Sequence, residues 1–410
     1  MQRRKLFKYL SFLPLTGGAV GVSLRSAADP LTTAPAAIPP MERDLFKELG
    51  IRTFINAAGT YTAMTGSLMN EVVLQTIVHG STEFCMLDEV QDKVGEKIAA
   101  LVHSEAAVVT SGAFSAMTLG LAGILTGMDL KKVEQLPLLE GTGMKSEVIC
   151  QKAHEIVYNH ALKNTGCKLI YIETREELEA AINERTALLH FLNIQSDKGK
   201  IQHEEWVEIG RRHGIPTSID IAADVPPVSN LWKFNDMGFS FVAISGGKAI
   251  RGPQSAGLLM GKKDIVAAAR LSMPPRGFNV GRGMKVNKEE VLGMYAALEN
   301  YITRDHDKEW KQWEAAIAHI DQAVKPLHGV TTTITVPTLG NVTPTLAISW
   351  DPQQVKLTGK VLQEGLRNGD PSIEVGDVRE TSIAVTAWML KTGQEKIVAT
   401  RLHEMLSRYA

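Results

Sequence analysis

Phe241-Val242-Ala243-Ile244-Ser245-Gly246-Gly247-Lys248 is the stretch on which the reading of this chain turns. Its first four residues, β-branched and aromatic, predict a short buried strand that two glycines close abruptly. A lysine held at a strand end in a glycine-rich turn suits Schiff-base chemistry, because the backbone around it lets a bulky group come close. Upstream, Pro216-Thr217-Ser218-Ile219 predicts a second strand, ending on Asp220. Two parallel strands would bring that carboxylate and this amine to one edge of a sheet, where α/β proteins bind ligands. The pair is what pyridoxal phosphate (PLP) requires. Lysine joins the aldehyde, and aspartate keeps the pyridine nitrogen protonated so that the ring accepts electrons.

Outward from this pair, strand and helix patterns alternate. Leu87, Val90, Val94, Ile98 and Leu101 recur at helical spacing and predict a helix over 86–102. Ala106 to Thr110 reads as a strand, Ser111-Gly112 as a turn and Ala113 to Thr126 as an apolar helix. Further strands are expected at 147–150, 168–172, 186–191 and 257–260, with helices through Ile156 and Leu162 and over 204–212. Strands separated by helices imply a mostly parallel sheet with helical crossovers. A long helix from Lys288 to about Thr303 leads into a segment of different texture, with strands at 331–336 and 346–350 and a final helix at 397–406. The expectation is an α/β large domain over 81–304, preceded by an N-terminal arm (49–80) and followed by a smaller α+β domain (305–410).

Composition narrows the function. The chain has 410 residues, 44% of them apolar, which is ample for a large core. A formal net charge of −1 leaves no basic surplus for a nucleic-acid partner. Cys85, Cys150 and Cys167 form no CxxC pair and read as buried small hydrophobes, and no metal site is evident. Arg3-Arg4 and Lys8 precede a mild apolar stretch from Tyr9 to Val22 and the small residues Ser26-Ala27-Ala28. This is the pattern of a twin-arginine-like signal peptide (1–28), and it predicts export, with the cytoplasm as the location if the leader does not function. The apolar stretch is too short for a stable membrane anchor. A linker rich in Ala, Thr and Pro follows, to about residue 48.

The turn Ser111-Gly112-Ala113 opens a helix after a strand, so free backbone N–H groups and the positive helix end suit a phosphate dianion. Ser245 offers a hydroxyl to the same phosphate, and His154 is placed to lie flat over a cofactor ring. Asn56 and the run Thr60-Tyr61-Thr62 belong to a polar loop, in which Asn56 and Tyr61 are expected to bind substrate. Arg251, Arg276, Arg282 and Lys285 are the cationic candidates for a substrate carboxylate or phosphate.

Four segments, Ile55-Asn56-Ala57-Ala58-Gly59-Thr60, Val109-Thr110-Ser111-Gly112-Ala113, Ser245-Gly246-Gly247-Lys248 with Arg251-Gly252-Pro253-Gln254, and Gly281-Arg282-Gly283-Met284-Lys285-Val286, carry a family likeness. On them the chain resembles the selenocysteine-synthase-like group of PLP enzymes with the aspartate-aminotransferase fold (fold type I), in particular the branch that includes D-glucosaminate-phosphate ammonia-lyase. The resemblance runs from about Leu49 to the C-terminus. It implies PLP on Lys248, Asp220 at the ring nitrogen, and a homodimer or larger homo-oligomer in which Tyr61 and the Arg282–Lys285 segment reach a neighbour's site. The reaction it implies is β-elimination from a small amino acid or amino-sugar acid after α-proton abstraction. The alternatives are an L-seryl-tRNA(Sec) selenium transferase-like enzyme and a PLP-dependent aminotransferase, racemase or aldolase.

Overall fold

The computed structural model describes residues 43–410. The expected leader and the linker up to residue 42 lie outside the described residues; the linker's last residues form a short helix, Leu45–Glu48, capped by Asp44. Among the described residues there are twelve strands in two sheets. They are β1 (Ile55–Ala57), β2 (Ala106–Thr110), β3 (Glu147–Gln151), β4 (Lys168–Ile172), β5 (Thr186–Leu192), β6 (Thr217–Asp220), β7 (Phe241–Ser245), β8 (Gly257–Gly261), β9 (Val330–Thr335), β10 (Thr345–Trp350), β11 (Ile373–Arg379) and β12 (Ser382–Thr386).

The seven-stranded sheet runs in the order β2-β8-β7-β6-β5-β3-β4. β8 is antiparallel to both its neighbours, and the remaining pairs are parallel. Its strands read as continuous apolar runs because both faces are covered, as a helix-sandwiched parallel sheet demands. Successive residues divide between two cores: Val109, Ile149, Leu189, Val242 and Leu258 pack on one side, and Val108, Val148, Leu188, Ala243 and Leu259 on the other. The helix Gly112–Thr126 is buried nearly all round, between the sheet and the helix Lys263–Leu271, which is why its sequence lacks a polar face.

The five-stranded sheet has the order β1-β11-β12-β10-β9 and is antiparallel except for β1 on β11. Residues 55–57, expected in an arm, thus pair in register with Ile373–Val375. β10 alternates buried and exposed residues, as a one-sided sheet requires. The helix His306–Val324 carries Trp313, Ile317, Ile320 and Val324 on its buried stripe and packs against the C-terminal helix Gln394–Ser407.

Two expectations are corrected. The stretch through Ile156 and Leu162 is not one helix: two short 3₁₀ turns lead into His160–Lys163. Cys85 is exposed, whereas Cys150 and Cys167 are buried. Its neighbours Phe84 and Met86 are also exposed, so the segment before helix Leu87–Leu101 lies at the surface. Among the described residues no helix is long and apolar enough to cross a membrane.

Candidate active site

β6 and β7 are parallel neighbours, with Asp220 opposite Ala243, so Asp220 and the turn carrying Lys248 emerge at the same carboxyl edge. Both line a cavity of about 340 Å³, shared with Gly112, Ala113, Ser245, Thr62, Phe114, Tyr158, Ile194, Asp224 and Gln254 among others. Two larger clefts, of about 850 and 990 Å³, lie elsewhere, and neither is lined by Lys248 or Asp220.

Burial dominates the electrostatics. It pushes the Asp220 carboxyl up, against the opposing pull of the Ala222 N–H, which donates to Oδ1 at 2.8 Å, and of Lys248. Burial also lowers the Lys248 amine, while Asp220 and Asp224 raise it. A neutral amine is the nucleophilic and proton-accepting form, so the desolvated lysine is poised for that work. Asp224 was not anticipated from sequence. It is 2% exposed, and burial pushes its carboxyl up to about 7.

Ser111 precedes the helix Gly112–Thr126, and Gly112, which lines the cavity with Lys248, holds φ +86°, a left-handed conformation natural to glycine. The first amides of that helix have no partner within it. β8 backs the turn: a Cβ at Gly257 would lie 2.5 Å from the Gly112 carbonyl carbon and 2.7 Å from the Ala113 nitrogen. Ser111 Oγ and Ser115 Oγ are 2.9 Å apart. An amine, a buried carboxylate and a helix-end anion cradle around one cavity form a donor set that fits PLP.

The other expected residues are dispersed. His154 does not lie over the cavity. It is completely buried, its Nδ1 accepts from the Leu192 N–H at 3.2 Å, and its ring meets Phe191 edge-on at 4.5 Å. Burial lowers it to about 4, so it is a neutral packing residue, and Ile156 and Tyr158 supply the cavity wall that follows it. Asn56 uses its side chain inside its own turn, accepting from the Ala58 and Gly59 amides and donating to the Gly59 carbonyl. Arg251 points away, donating to the Trp388 carbonyl at 2.8 Å and facing Glu309 at 3.8 Å. Arg276 is held by Asp88. Tyr61, Arg282 and Lys285 are exposed and outside the cavity lining. Lys248 is therefore the one cation among the described residues that line it.

The N-terminal loop closes one side. The Ser67 amide donates to the Gly247 carbonyl at 3.0 Å, and Gln254 Nε2 donates to the Thr62 carbonyl at 3.0 Å. Thr62 and Gln254 thus join the wall; the available signals were the polar run Thr60-Tyr61-Thr62 for the one and the motif Arg251-Gly252-Pro253-Gln254 for the other.

Residues 71–280 match the family model for aminotransferase class-V. The D-glucosaminate-6-phosphate ammonia lyase of Salmonella typhimurium (strain 14028s / SGSC 2262) is 24% identical over 383 residues, covering 90% of this chain and 100% of the relative. A 5'-C-glycyluridine monooxygenase-decarboxylase of Streptomyces sp is 25% identical, covering 88% of this chain and 92% of the relative. An L-seryl-tRNA(Sec) selenium transferase of Serratia proteamaculans (strain 568) is 28% identical over a shorter stretch, 34% of this chain and 33% of the relative. Among solved structures, that of a D-glucosaminate-6-phosphate ammonia-lyase superposes with a TM-score of 0.79 at 24% identity, over 90% of this chain and 100% of that one. A structure of SPT with PLP gives 0.55 at 14% identity, over 86% and 87%. These likenesses establish a shared fold.

Proposed function

We propose that this chain, which belongs to the aminotransferase class-V family, is a PLP-dependent lyase acting on a small amino acid or amino-sugar acid. The observation that carries the reading is the placement of Lys248 and Asp220 on adjacent parallel strand ends, in one cavity with the Gly112 turn. When bound, PLP supplies an electron sink for the carbanion left by loss of the α-proton. Lys248 is the residue that would hold its aldehyde, Asp220 its ring nitrogen, and the Ser111–Ala113 amides with Ser245 its phosphate. Lys248 Nζ, freed once the substrate's amine takes its place at the aldehyde and lowered by burial, would take the substrate's α-proton. Asp220 would keep that ring nitrogen protonated. The apolar wall of Phe114, Met117 and Ile194 excludes water during the step. The β-substituent would leave with its bonding electrons as the Cα–Cβ double bond forms, and hydrolysis of the released enamine would give a keto acid and ammonia beside the freed substituent. The full-length similarity to an ammonia lyase supports elimination over the alternatives.

The test is direct. The purified protein should absorb in the visible, shift when the right amine is added, exchange the substrate's α-hydrogen with solvent, and release keto acid and ammonia catalytically. Stoichiometric conversion of the bound cofactor to its amine form would instead indicate transamination. A second reading, transfer to aminoacyl-tRNA, is favoured by the partial matches to L-seryl-tRNA(Sec) selenium transferases. Turnover of a charged tRNA, with none of a free amino acid, would select it.

Gly257 gives a prediction on cofactor affinity. Gly257→Ala places a methyl against backbone that cannot yield, displacing the Gly112 turn. Affinity for PLP is expected to fall about tenfold or more, a loss of about 1.4 kcal/mol or greater, with far-UV circular dichroism unchanged. Fluorescence titration checks it, and unaltered affinity in a folded variant counts against the phosphate site.

The working unit is proposed to be a homodimer or larger. Arg282 and Lys285 have no ion pair among the described residues, and the cavity in one chain lacks an arginine for a substrate acid. Mixing inactive Lys248→Ala and Arg282→Ala chains should restore part of the activity if sites are shared. A fully active monomer by light scattering would end that idea. Export through the Arg3-Arg4 leader belongs to the same proposal: a PLP enzyme folds around its cofactor before crossing, as a twin-arginine route permits. Cell fractionation tests it, and wild-type protein wholly cytoplasmic with Met1 intact would refute it.

A further inference from the structure

Asp224 has no part in the chemistry assigned above, yet it is the more thoroughly tethered of the cavity's two carboxylates. Its Oδ1 accepts the Gly340 N–H at 3.1 Å, and the Asn193 amide donates to the same carboxyl. Asn193 Oδ1 lies 2.8 Å from His203 Nε2, so His203 donates there and orients the amide toward Asp224. The Asp224 carbonyl in turn receives Asn230 Nδ2 at 2.6 Å. One residue along on each side, the Asn341 N–H donates to the Ala223 carbonyl at 2.7 Å. Two hydrogen bonds thus zip the loop between β9 and β10 to the segment after β6. This loop belongs to the five-stranded sheet, while Ala222, Ala223 and Asp224 line the cavity of the seven-stranded one.

The fit is close at the loop itself. Gly340 holds φ +61°, and a Cβ there would collide with the side chain of Ile194, another cavity residue. Asn341 Oδ1 lies 3.5 Å from Thr60 Oγ1, which ties the loop to the N-terminal segment ending at Thr62. The loop therefore backs three separate pieces of the wall.

We propose that Asp224 is a positioning residue: by accepting the Gly340 amide it fastens the β9–β10 loop of the second sheet to the strand end bearing Asp220, and so holds the cavity wall in register around Lys248. The role is that of an acceptor. The groups facing the carboxyl are Asp220, Lys248, Asn193 with His203 behind it, and the Gly340 amide from the loop side. With burial raising the carboxyl to about 7, neutral and ionised forms coexist near neutrality, and each keeps an oxygen for the Gly340 N–H. The inference concerns the assembly of the cavity and stands whether or not the reaction proposed above is the right one.

The experiment compares Asp224→Ala, Asp224→Asn, Gly340→Ala and the Asp224→Ala/Gly340→Ala double variant in the full chain. Hydrogen exchange of the 338–343 amides is followed with and without added PLP. Asp224→Ala should speed that exchange about tenfold or more even without the cofactor, leaving the β2–β8 amides protected. Asp224→Asn, which keeps a carbonyl oxygen, should restore most of the protection. The double variant should exchange no faster than the worse single one, because the Gly340→Ala methyl, pressed against Ile194, drives off the Asp224 carboxyl the same loop that Asp224→Ala releases. If an amine substrate is turned over, KM should rise in Asp224→Ala with a smaller change in kcat, and Asp224→Asn should recover it. Unchanged loop exchange in Asp224→Ala, or an Asn variant as impaired as the Ala variant, would overturn the proposal. Absence of any visible absorbance in wild-type protein would instead defeat the cofactor reading and leave the loop measurement intact.

Discussion

Lys248→Ala is expected to abolish turnover, by about 10³-fold or more, and to remove the covalent cofactor that borohydride fixes in the wild type. The expected loss is large because one side chain does two things. It holds the aldehyde and it moves the α-proton, a step for which a positioned base alone contributes about 10²–10⁴-fold. The local fold should survive, since Lys248 makes no side-chain hydrogen bond among the described residues and its turn is held by backbone. The Gly246 amide donates to the Ala256 carbonyl, the Gly252 amide to the Gly246 carbonyl and the Arg251 amide to the Lys248 carbonyl. Mass spectrometry after borohydride treatment, with a steady-state assay, checks both parts. Full activity in the alanine variant would refute the assignment of Lys248.

Asp220→Asn is expected to leave a folded protein that still binds PLP but exchanges the substrate's α-hydrogen at least about tenfold more slowly. Asparagine keeps the shape and an oxygen for the Ala222 N–H, now 2.8 Å from Oδ1. It loses the negative charge that favours a protonated pyridine. One pKa unit is worth about 1.4 kcal/mol, and removal of a buried charge partner exceeds that. Deuterium exchange at the substrate α-carbon, measured beside cofactor content, separates this effect from loss of binding. Exchange at the wild-type rate with cofactor bound would rule the role out.

Much of the large sheet was legible because its signals are local. β2 to β8 are short runs of Val, Ile, Leu and Phe broken by glycine and polar turns, and strands covered on both faces need only such composition. The alternation with helices supplied the parallel order, and with it the meeting of Asp220 and Lys248. The second sheet was read only in part. β1 is three residues long and pairs with β11, far along the chain. β11 contains Glu374, a carboxylate that looks like a surface residue. It is 2% exposed because Arg52 and Arg367 both bind it. Burial of a charge depends on partners that spacing does not reveal.

The candidate site divides along the same line. Lysine, aspartate and the glycine turn each sit at a strand or helix end, and local pattern suffices to place such ends on one edge of a parallel sheet. That pattern is silent on where side chains point and which surfaces meet. His154 turned inward against Phe191, and Arg251 turned to the Trp388 carbonyl and Glu309, because those long-range contacts satisfy them better than the cavity does. Asp224 became part of the wall because the β9–β10 loop, from a sheet built of distant segments, presents an amide to it. Chemistry that depends on residue type at an element's end is written in the order of residues along the chain; chemistry that depends on which surfaces pack together is set by contacts between segments far apart in it.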